Sequence, residues 1–143
     1  MELSLEEQLK QHDKKTPKFS LENHTKLAKV VDIYDGDSCR VVFEHNRTIN
    51  MWNIRMYGYD SPEMRPSLSL ENRDDVKQKA RESRDYLKGL ILNKTIYLHC
   101  LDFDKYGRVL ANIYTDGINN KSVNDHMVDN NYGYAYFGGT KKK

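Results

Sequence analysis

The chain has 143 residues and a mass of 16.8 kDa, a length that is typical of one compact domain. Its 23 Lys and Arg residues against 21 Asp and Glu give a net charge of +2, which is too small to make overall charge the reason for binding a polyanion. Charged residues make up 31% of the chain, and no apolar run approaches the roughly 20 residues needed to cross a bilayer.

The N-terminal residues are mostly charged and polar. Residues 1–26 are predicted to be a polar arm, either disordered or a short helix that carries the apolar stripe of Leu3, Leu5 and Leu9. The first residues contain neither an apolar segment nor the small-residue cleavage site of a secretory signal. An intracellular protein without a membrane association is therefore expected. The sequence does not indicate its compartment.

Three runs rich in Val, Ile and aromatic residues follow the arm. They cover residues 27–34, 38–45 and 48–59, and turn residues separate them at 35–37 and 45–47. We expect three strands in an antiparallel meander. Pro62 stops the third run, because proline cannot continue a ladder of backbone hydrogen bonds.

The second half of the chain alternates between helix and strand patterns. Apolar residues at spacings of three, four and seven predict an amphipathic helix over 71–92. Two strand runs follow, at 95–103 and 108–115, and a hairpin turn at 104–107 joins them. Ser122 is a suitable cap for a short helix that ends before Gly133.

The order of these elements predicts a β-rich α+β fold. Residues 27–137 fit a five-stranded Greek-key OB-fold barrel with a helix between strands 3 and 4 and a short C-terminal helix. Residues 138–143 are expected to be a basic tail. Cys39 and Cys100 show no metal-binding spacing and are interpreted as strand residues without a chemical task.

Residues suited to chemistry are concentrated in three short stretches. These are DGDS at 35–38, RMYGYDSPE at 55–63 and DKYGR at 104–108. Taken singly, each stretch also fits an ordinary turn. Taken together and in this order, they closely resemble the staphylococcal nuclease (thermonuclease) family, over residues from 28 to about 137. The resemblance implies the same five-stranded barrel and a calcium-dependent nuclease.

The resemblance also implies a role for each matching residue. The expected catalytic residues are Arg55, Glu63 and Arg108. The expected Ca²⁺ ligands are Asp37, Asp60 and the carbonyl of Ser61. Asp35 is either a turn residue or an outer ligand.

Three further residues are expected to bind the substrate. Lys105 and Tyr106 lie where the family contacts a terminal phosphate of the nucleotide. Tyr136 is selected from the cluster of Tyr132, Tyr134, Tyr136 and Phe137 as a residue that stacks on a base. The alternative, that this cluster covers the barrel, stays open.

The residue types suit phosphodiester hydrolysis. Arginine forks donate paired hydrogen bonds to phosphate oxygens and keep their charge at any working pH. Carboxylates with a backbone carbonyl form a hard oxygen set that suits calcium and argues against zinc. Glu63 would position the attacking water or take its proton. The resemblance further implies that the 5′ oxygen leaves, which gives 3′-phosphate products.

Two classes of function follow from these residues. The first is a calcium-dependent hydrolase of DNA and RNA. It is expected to prefer single-stranded or frayed substrates and to act as a monomer. The alternative is a non-catalytic OB-fold module that binds nucleic acid or protein; it predicts missing site residues, and none is missing. The family usually continues with a further C-terminal helix, so we expect its packing to be absent or replaced here.

Overall fold

The computed structural model describes residues 2–118 and 120–137. Its elements, in chain order, are α1 (Leu5–Lys10), β1 (Thr25–Asp35), β2 (Ser38–His45), β3 (Thr48–Met56), β4 (Tyr59–Asp60), α2 (Arg73–Ile91), β5 (Thr95–Phe103), β6 (Val109–Tyr114), α3 (Val123–Asp129) and β7 (Tyr134–Ala135). The basic tail expected at 138–143 lies outside the described residues.

Five strands close into a barrel in the order β1-β2-β3-β6-β5. The first three form an antiparallel meander, and β5 and β6 form an antiparallel pair. The barrel closes where β1 pairs with β5 in antiparallel orientation and β3 pairs with β6 in parallel orientation. The predicted five-stranded barrel, with a helix between its third and fourth strands and a short C-terminal helix, is therefore confirmed.

The barrel interior is filled mainly by alternate residues of the strands, as the period of two in a strand requires, and a register shift after Val30 interrupts this alternation in β1. In β6, for example, Val109, Ala111 and Ile113 are buried while the residues between them are less so. The long helix α2 buries Leu87 and Ile91 in the same core. Both cysteines are free and buried in strands, as expected.

The third strand is shorter than its sequence pattern indicates. The run over 48–59 was expected to be one strand, but β3 ends at Met56, because Gly58 turns the chain with a φ of +91°. After this turn the two residues of β4 pair with β7, so that Tyr59 faces Ala135 and Asp60 faces Tyr134. The correction has a structural consequence: Asp60 belongs to a separate small sheet beside the barrel.

The N-terminal arm contains the short helix α1. The Ser4 hydroxyl accepts a hydrogen bond from the Glu7 N–H at 3.2 Å, and no residue of α1 is buried. Leu21 is fully buried in the core, so the last residues of the expected arm pack on the barrel. Among the residues that the structure describes, no helix is long and apolar enough to cross a membrane.

Candidate active site

The turn between β1 and β2 is tightly packed against its surroundings. A Cβ on Gly36 would lie 2.0 Å from Ser83 Oγ and 2.8 Å from the Cβ of Ser61. The Tyr59 hydroxyl donates a hydrogen bond to the Gly36 carbonyl at 2.6 Å. Only glycine fits this position without a shift of the neighbouring atoms, so the turn is fixed by α2 and by β4.

This turn places Asp37 against the second motif. Asp37 Oδ2 accepts a hydrogen bond from the Ser61 N–H at 2.9 Å, and its Oδ1 accepts one from the Ser38 hydroxyl at 3.0 Å. Burial disfavours the charged form of Asp37, but the hydrogen bonds and the Arg55 guanidinium outweigh burial and hold the pKa of this carboxyl below its usual range. Asp37 is therefore a buried carboxylate that stays ionised.

Asp35 stands in a different environment from Asp37. Its Oδ1 accepts a hydrogen bond from the Asp37 N–H at 3.1 Å, which is the geometry of a turn residue. Burial, with the charge of the neighbouring Asp37, raises the pKa of Asp35 to about 7. Asp35 thus has the turn role that its sequence position suggested, and its second suggested role as an outer ligand stays a prediction.

Arg55 lies at the centre of the site. Its Nη2 contacts Asp60 Oδ1, and its Nη1 lies 3.3 Å from Asp37 Oδ2 and donates to the Met56 carbonyl at 3.0 Å. Only 13% of its side chain is exposed. Two carboxylates from separate motifs therefore converge on one guanidinium and orient it.

The hairpin between β5 and β6 supplies the second arginine. Arg108 Nε donates to Asp104 Oδ2 at 2.7 Å, and Asp104 Oδ1 accepts the N–H groups of Tyr106 and Arg108, each at 2.9 Å. The Arg108 guanidinium carbon lies 5.6 Å from the centre of the Tyr106 ring, and Lys105 Nζ lies 5.2 Å from it. The hairpin thus presents two cations around one exposed aromatic ring.

Two open grooves meet at the arginines. The first, which we call the meander groove, has a volume of about 430 Å³ and is lined by Tyr34, Arg40 and Asn53 of the meander, among others. The second, which we call the aromatic groove, has a volume of about 410 Å³ and is lined by Tyr106 and Phe137, among others. Both grooves share Arg55, Asp60 and Arg108 in their walls.

The expected site residues line these two grooves, and three of them line both. The meander groove holds all six residues with an expected catalytic or metal-binding role: Asp37, Arg55, Asp60, Ser61, Glu63 and Arg108. The aromatic groove holds the three residues with an expected substrate role: Lys105, Tyr106 and Tyr136. Glu63 is exposed to solvent, which suits a group that acts on water. The structure brings the nine residues to one place, and their roles stay predictions.

The tyrosine cluster near the C-terminus splits between two locations. Tyr132 stacks on Tyr86 of α2 with ring centres 4.0 Å apart, and this contact covers the core. Tyr136 and Phe137 instead line the aromatic groove. Tyr132 thus covers the barrel, and the base-stacking role of Tyr136 stays a prediction.

The donor chemistry of the site fits a hard divalent cation such as Ca²⁺. The carboxylates of Asp37 and Asp60 already converge on one positive charge, that of Arg55, and Ser61 is buried beside them. Within residues 2–118 and 120–137, no three His, Cys, Asp or Glu side chains are grouped to hold a metal ion. A cation here would therefore be held by two carboxylates, backbone oxygen and water, a set typical of calcium and unlike that of zinc.

Some residues that hold the site together escaped the sequence analysis. Asn124 of α3 is buried, and its Nδ2 donates to the carbonyls of Tyr57 at 2.8 Å and Ala111 at 2.9 Å. Its Oδ1 accepts the Ile113 N–H at 3.0 Å. Ser83 and Tyr59 likewise fix the turn at 35–38. A polar residue on the buried side of an amphipathic helix, as at Ser83 and Asn124, is the signal that could have identified two of them.

Comparison with known proteins agrees with this geometry. The family profile described as "Staphylococcal nuclease homologue" matches residues 53–143. An Escherichia coli protein described as an uncharacterized endonuclease is 29% identical over 109 residues, which are 76% of this chain and 60% of that protein. A probable staphylococcal-like nuclease of Oryza sativa subsp. japonica is 29% identical over 85 residues, 59% of this chain and 19% of that protein.

The chain thus spans about three fifths of the length of the Escherichia coli relative, and the match to the profile covers more than half of this chain. The barrel, the three motifs and the profile agree with the resemblance identified from the residues. The chain belongs to the staphylococcal nuclease homologue family.

Proposed function

We propose that this protein is a calcium-dependent nuclease that hydrolyses the phosphodiester bonds of DNA and RNA. The observation that carries the proposal is the convergence of two arginines, two buried carboxylates and an exposed glutamate on one groove. Phosphate is the substrate group that needs such a set. Its negative charge repels a nucleophile, and more negative charge develops on its oxygens as the reaction proceeds.

The arginines would clamp the phosphate. Arg55 is oriented by Asp37 and Asp60, and Arg108 is oriented by Asp104, so both guanidinium groups are arranged before a substrate binds. Such preorganised donors stabilise the transition state without reorganising during the reaction. Each planar guanidinium can donate two parallel hydrogen bonds to two phosphate oxygens, and a lysine ammonium lacks this geometry.

Glu63 would act on the attacking water. It is exposed in the meander groove, where it could orient a water molecule towards phosphorus and accept its proton. The bond from phosphorus to the 5′ oxygen then breaks, the 5′ oxygen takes up a proton from solvent, and the phosphate stays on the 3′ oxygen. Asp37 and Asp60 would hold Ca²⁺, which would polarise the phosphate and stabilise the negative charge that develops on its oxygens in the transition state.

Lys105, Tyr106 and Tyr136 would hold the nucleotide beside the clamp. They line the aromatic groove, in which a base can stack on a ring while a phosphate meets the lysine. The residues of the two grooves address phosphates and the faces of bases, so we expect little sequence preference. Contacts that depend on exposed bases favour single-stranded or frayed DNA and RNA. We expect the protein to bind them as a monomer.

Hydrolysis of single-stranded DNA by the purified protein tests this proposal. We expect cleavage with calcium, none with excess chelator, and a fall of at least about a hundredfold in kcat for Arg55→Lys and for Glu63→Gln. Arg81→Ala, on the exposed side of α2, is the matched control and should cut at the wild-type rate. A wild-type protein that binds DNA and never cuts it with any divalent ion would instead establish the non-catalytic binding module.

A further inference from the structure

We propose that Tyr34, Arg40 and Asn53 form a second nucleotide subsite in the meander groove. This subsite would hold the nucleotide that lies across the scissile phosphate from the one in the aromatic groove. The inference rests on the proposed function and deepens it: the preferred substrate is a strand with a nucleotide on both sides of the cut. The subsite makes or breaks no bond and acts through binding alone.

The three residues lie side by side on the outer face of the meander. Tyr34 belongs to β1, Arg40 to β2 and Asn53 to β3, and Arg40 faces Asn53 across the two strands. Asn53 precedes Arg55 by two residues on β3, so both side chains are on the same face of the strand. The subsite therefore adjoins the arginine that is expected to clamp the phosphate.

The side chains offer what a nucleotide needs. Tyr34 is 67% exposed, and no ring of residues 2–118 and 120–137 packs on it. Arg40 is also exposed, and within the described part of the chain its guanidinium has no ion pair, unlike those of Arg55 and Arg108. An exposed ring next to an unpaired cation is the combination that binds a base and its phosphate.

The two grooves together define a path for the strand. They share Arg55, Asp60 and Arg108, and the rest of their walls differ. A strand that enters one groove must pass these shared residues to reach the other. The scissile phosphate would then lie at the shared residues, with one base near Tyr136 and the next near Tyr34.

Binding of a fluorescent single-stranded oligonucleotide, measured by anisotropy in calcium with a Glu63→Gln background, tests the subsite without cleavage. We expect Tyr34→Ala to raise Kd by about tenfold, the effect of losing one stacked base. Arg40→Ala should flatten the dependence of log K on log salt by about 0.7, the effect of losing one phosphate contact to a single strand. Tyr34→Phe keeps the ring and should bind within about twofold of wild type, which separates stacking from a folding defect.

Matched controls come from outside both grooves. Tyr97→Ala removes a tyrosine that is 43% exposed on β5, and Arg81→Ala removes an exposed arginine of α2. Both should leave Kd and its salt dependence unchanged. Equal losses for Tyr34→Ala and Tyr97→Ala, or no loss for Tyr34→Ala, would overturn the subsite.

Cleavage by the active protein then places the subsite relative to the cut. An oligonucleotide with one abasic position is digested, and the rate is mapped at each linkage. Tyr34→Ala should slow every cut except the one for which the abasic position occupies the subsite. Uniform slowing at all linkages would overturn the inference. A wild-type protein that binds and does not cut would defeat the proposed function alone, since the anisotropy comparison still decides the subsite.

Discussion

Adding one methyl group at Gly36 should destabilise the protein although no positive φ is involved. The new Cβ would lie 2.0 Å from Ser83 Oγ and 2.8 Å from the Cβ atoms of Ser61 and Ser83. To make room, Ser83 must give up the hydrogen bond that its hydroxyl donates to the Tyr132 carbonyl at 2.7 Å, at a cost of about 1 kcal/mol. The remaining overpacking costs about 1–3 kcal/mol. Gly36→Ala should therefore lower the free energy of unfolding by about 2–4 kcal/mol.

Urea denaturation followed by circular dichroism measures this loss, and a second substitution tests its cause. Ser83→Gly removes two of the three clashing atoms, so the double variant should lose at least about 1 kcal/mol less than the sum of the single variants. Gly89→Ala is the matched control. Apart from the neighbouring residues and backbone of its own helix, no described atom lies within 4 Å of a Cβ at Gly89, which is on the exposed side of α2. Alanine there should stabilise the helix by about 0.5–1 kcal/mol.

Two results would refute this reasoning. One is a loss of less than about 0.5 kcal/mol for Gly36→Ala, which would mean that the turn can move away from α2. The other is additivity of Gly36→Ala and Ser83→Gly within about 0.5 kcal/mol, which would place the damage elsewhere than at Ser83.

Three further predictions concern other parts of the structure. Asn124→Ala removes the side-chain partner of the Ile113 N–H and of the Tyr57 carbonyl, while the Ala111 carbonyl keeps the Tyr57 N–H at 2.9 Å, so it should cost about 2–4 kcal/mol of unfolding free energy in urea; a loss below about 1 kcal/mol would contradict the bonding described. At Asp104, burial disfavours the charge, but the hydrogen bonds from Arg108 and Tyr106 outweigh it and lower the pKa. The stabilisation of wild type over Asp104→Asn should thus be complete above about pH 4 and vanish as pH falls through the lowered pKa; a difference that is constant across a pH series of urea melts would contradict this. Calcium at about a hundred times its Kd should raise the free energy of unfolding of the wild-type protein by about 2.7 kcal/mol and leave that of Asp37→Asn unchanged. Thermal melts with and without calcium test this, and equal gains for the two proteins would place the cation elsewhere.

The sequence predicted the regular elements well because they are long and periodic. Runs rich in Val, Ile and aromatic residues between turn residues identified the five barrel strands, and apolar spacings of three, four and seven identified α2. The end of β3 at Met56 was missed, since the apolar and aromatic pattern continues beyond it and only Gly58 marks the turn. The pair of β4 and β7 is two residues long and joins distant segments, so no local pattern indicates it.

The candidate site was predicted as a set of residues, and its supports were not. The three motifs consist of residues whose side chains have chemical functions, and such residues can be identified one by one in a sequence. The contact of Tyr59 with Gly36 and the close approach of Ser83 depend on how α2 and β4 pack against the turn. Such packing is a property of the folded chain. The position of Ser83 on the buried side of α2 indicates that it has a polar partner, but a single sequence does not say which segment supplies that partner.

The parallel pairing of β3 with β6 makes the arrangement of the two arginines depend on two distant segments of the chain. Arg55 lies on β3, Arg108 immediately precedes β6, and the register sets Arg55 opposite Leu110. During synthesis on a ribosome, the first arginine emerges long before the strand that brings the second one beside it. On the proposed function, the nascent chain cannot clamp a phosphate until its last barrel strand is free to pair.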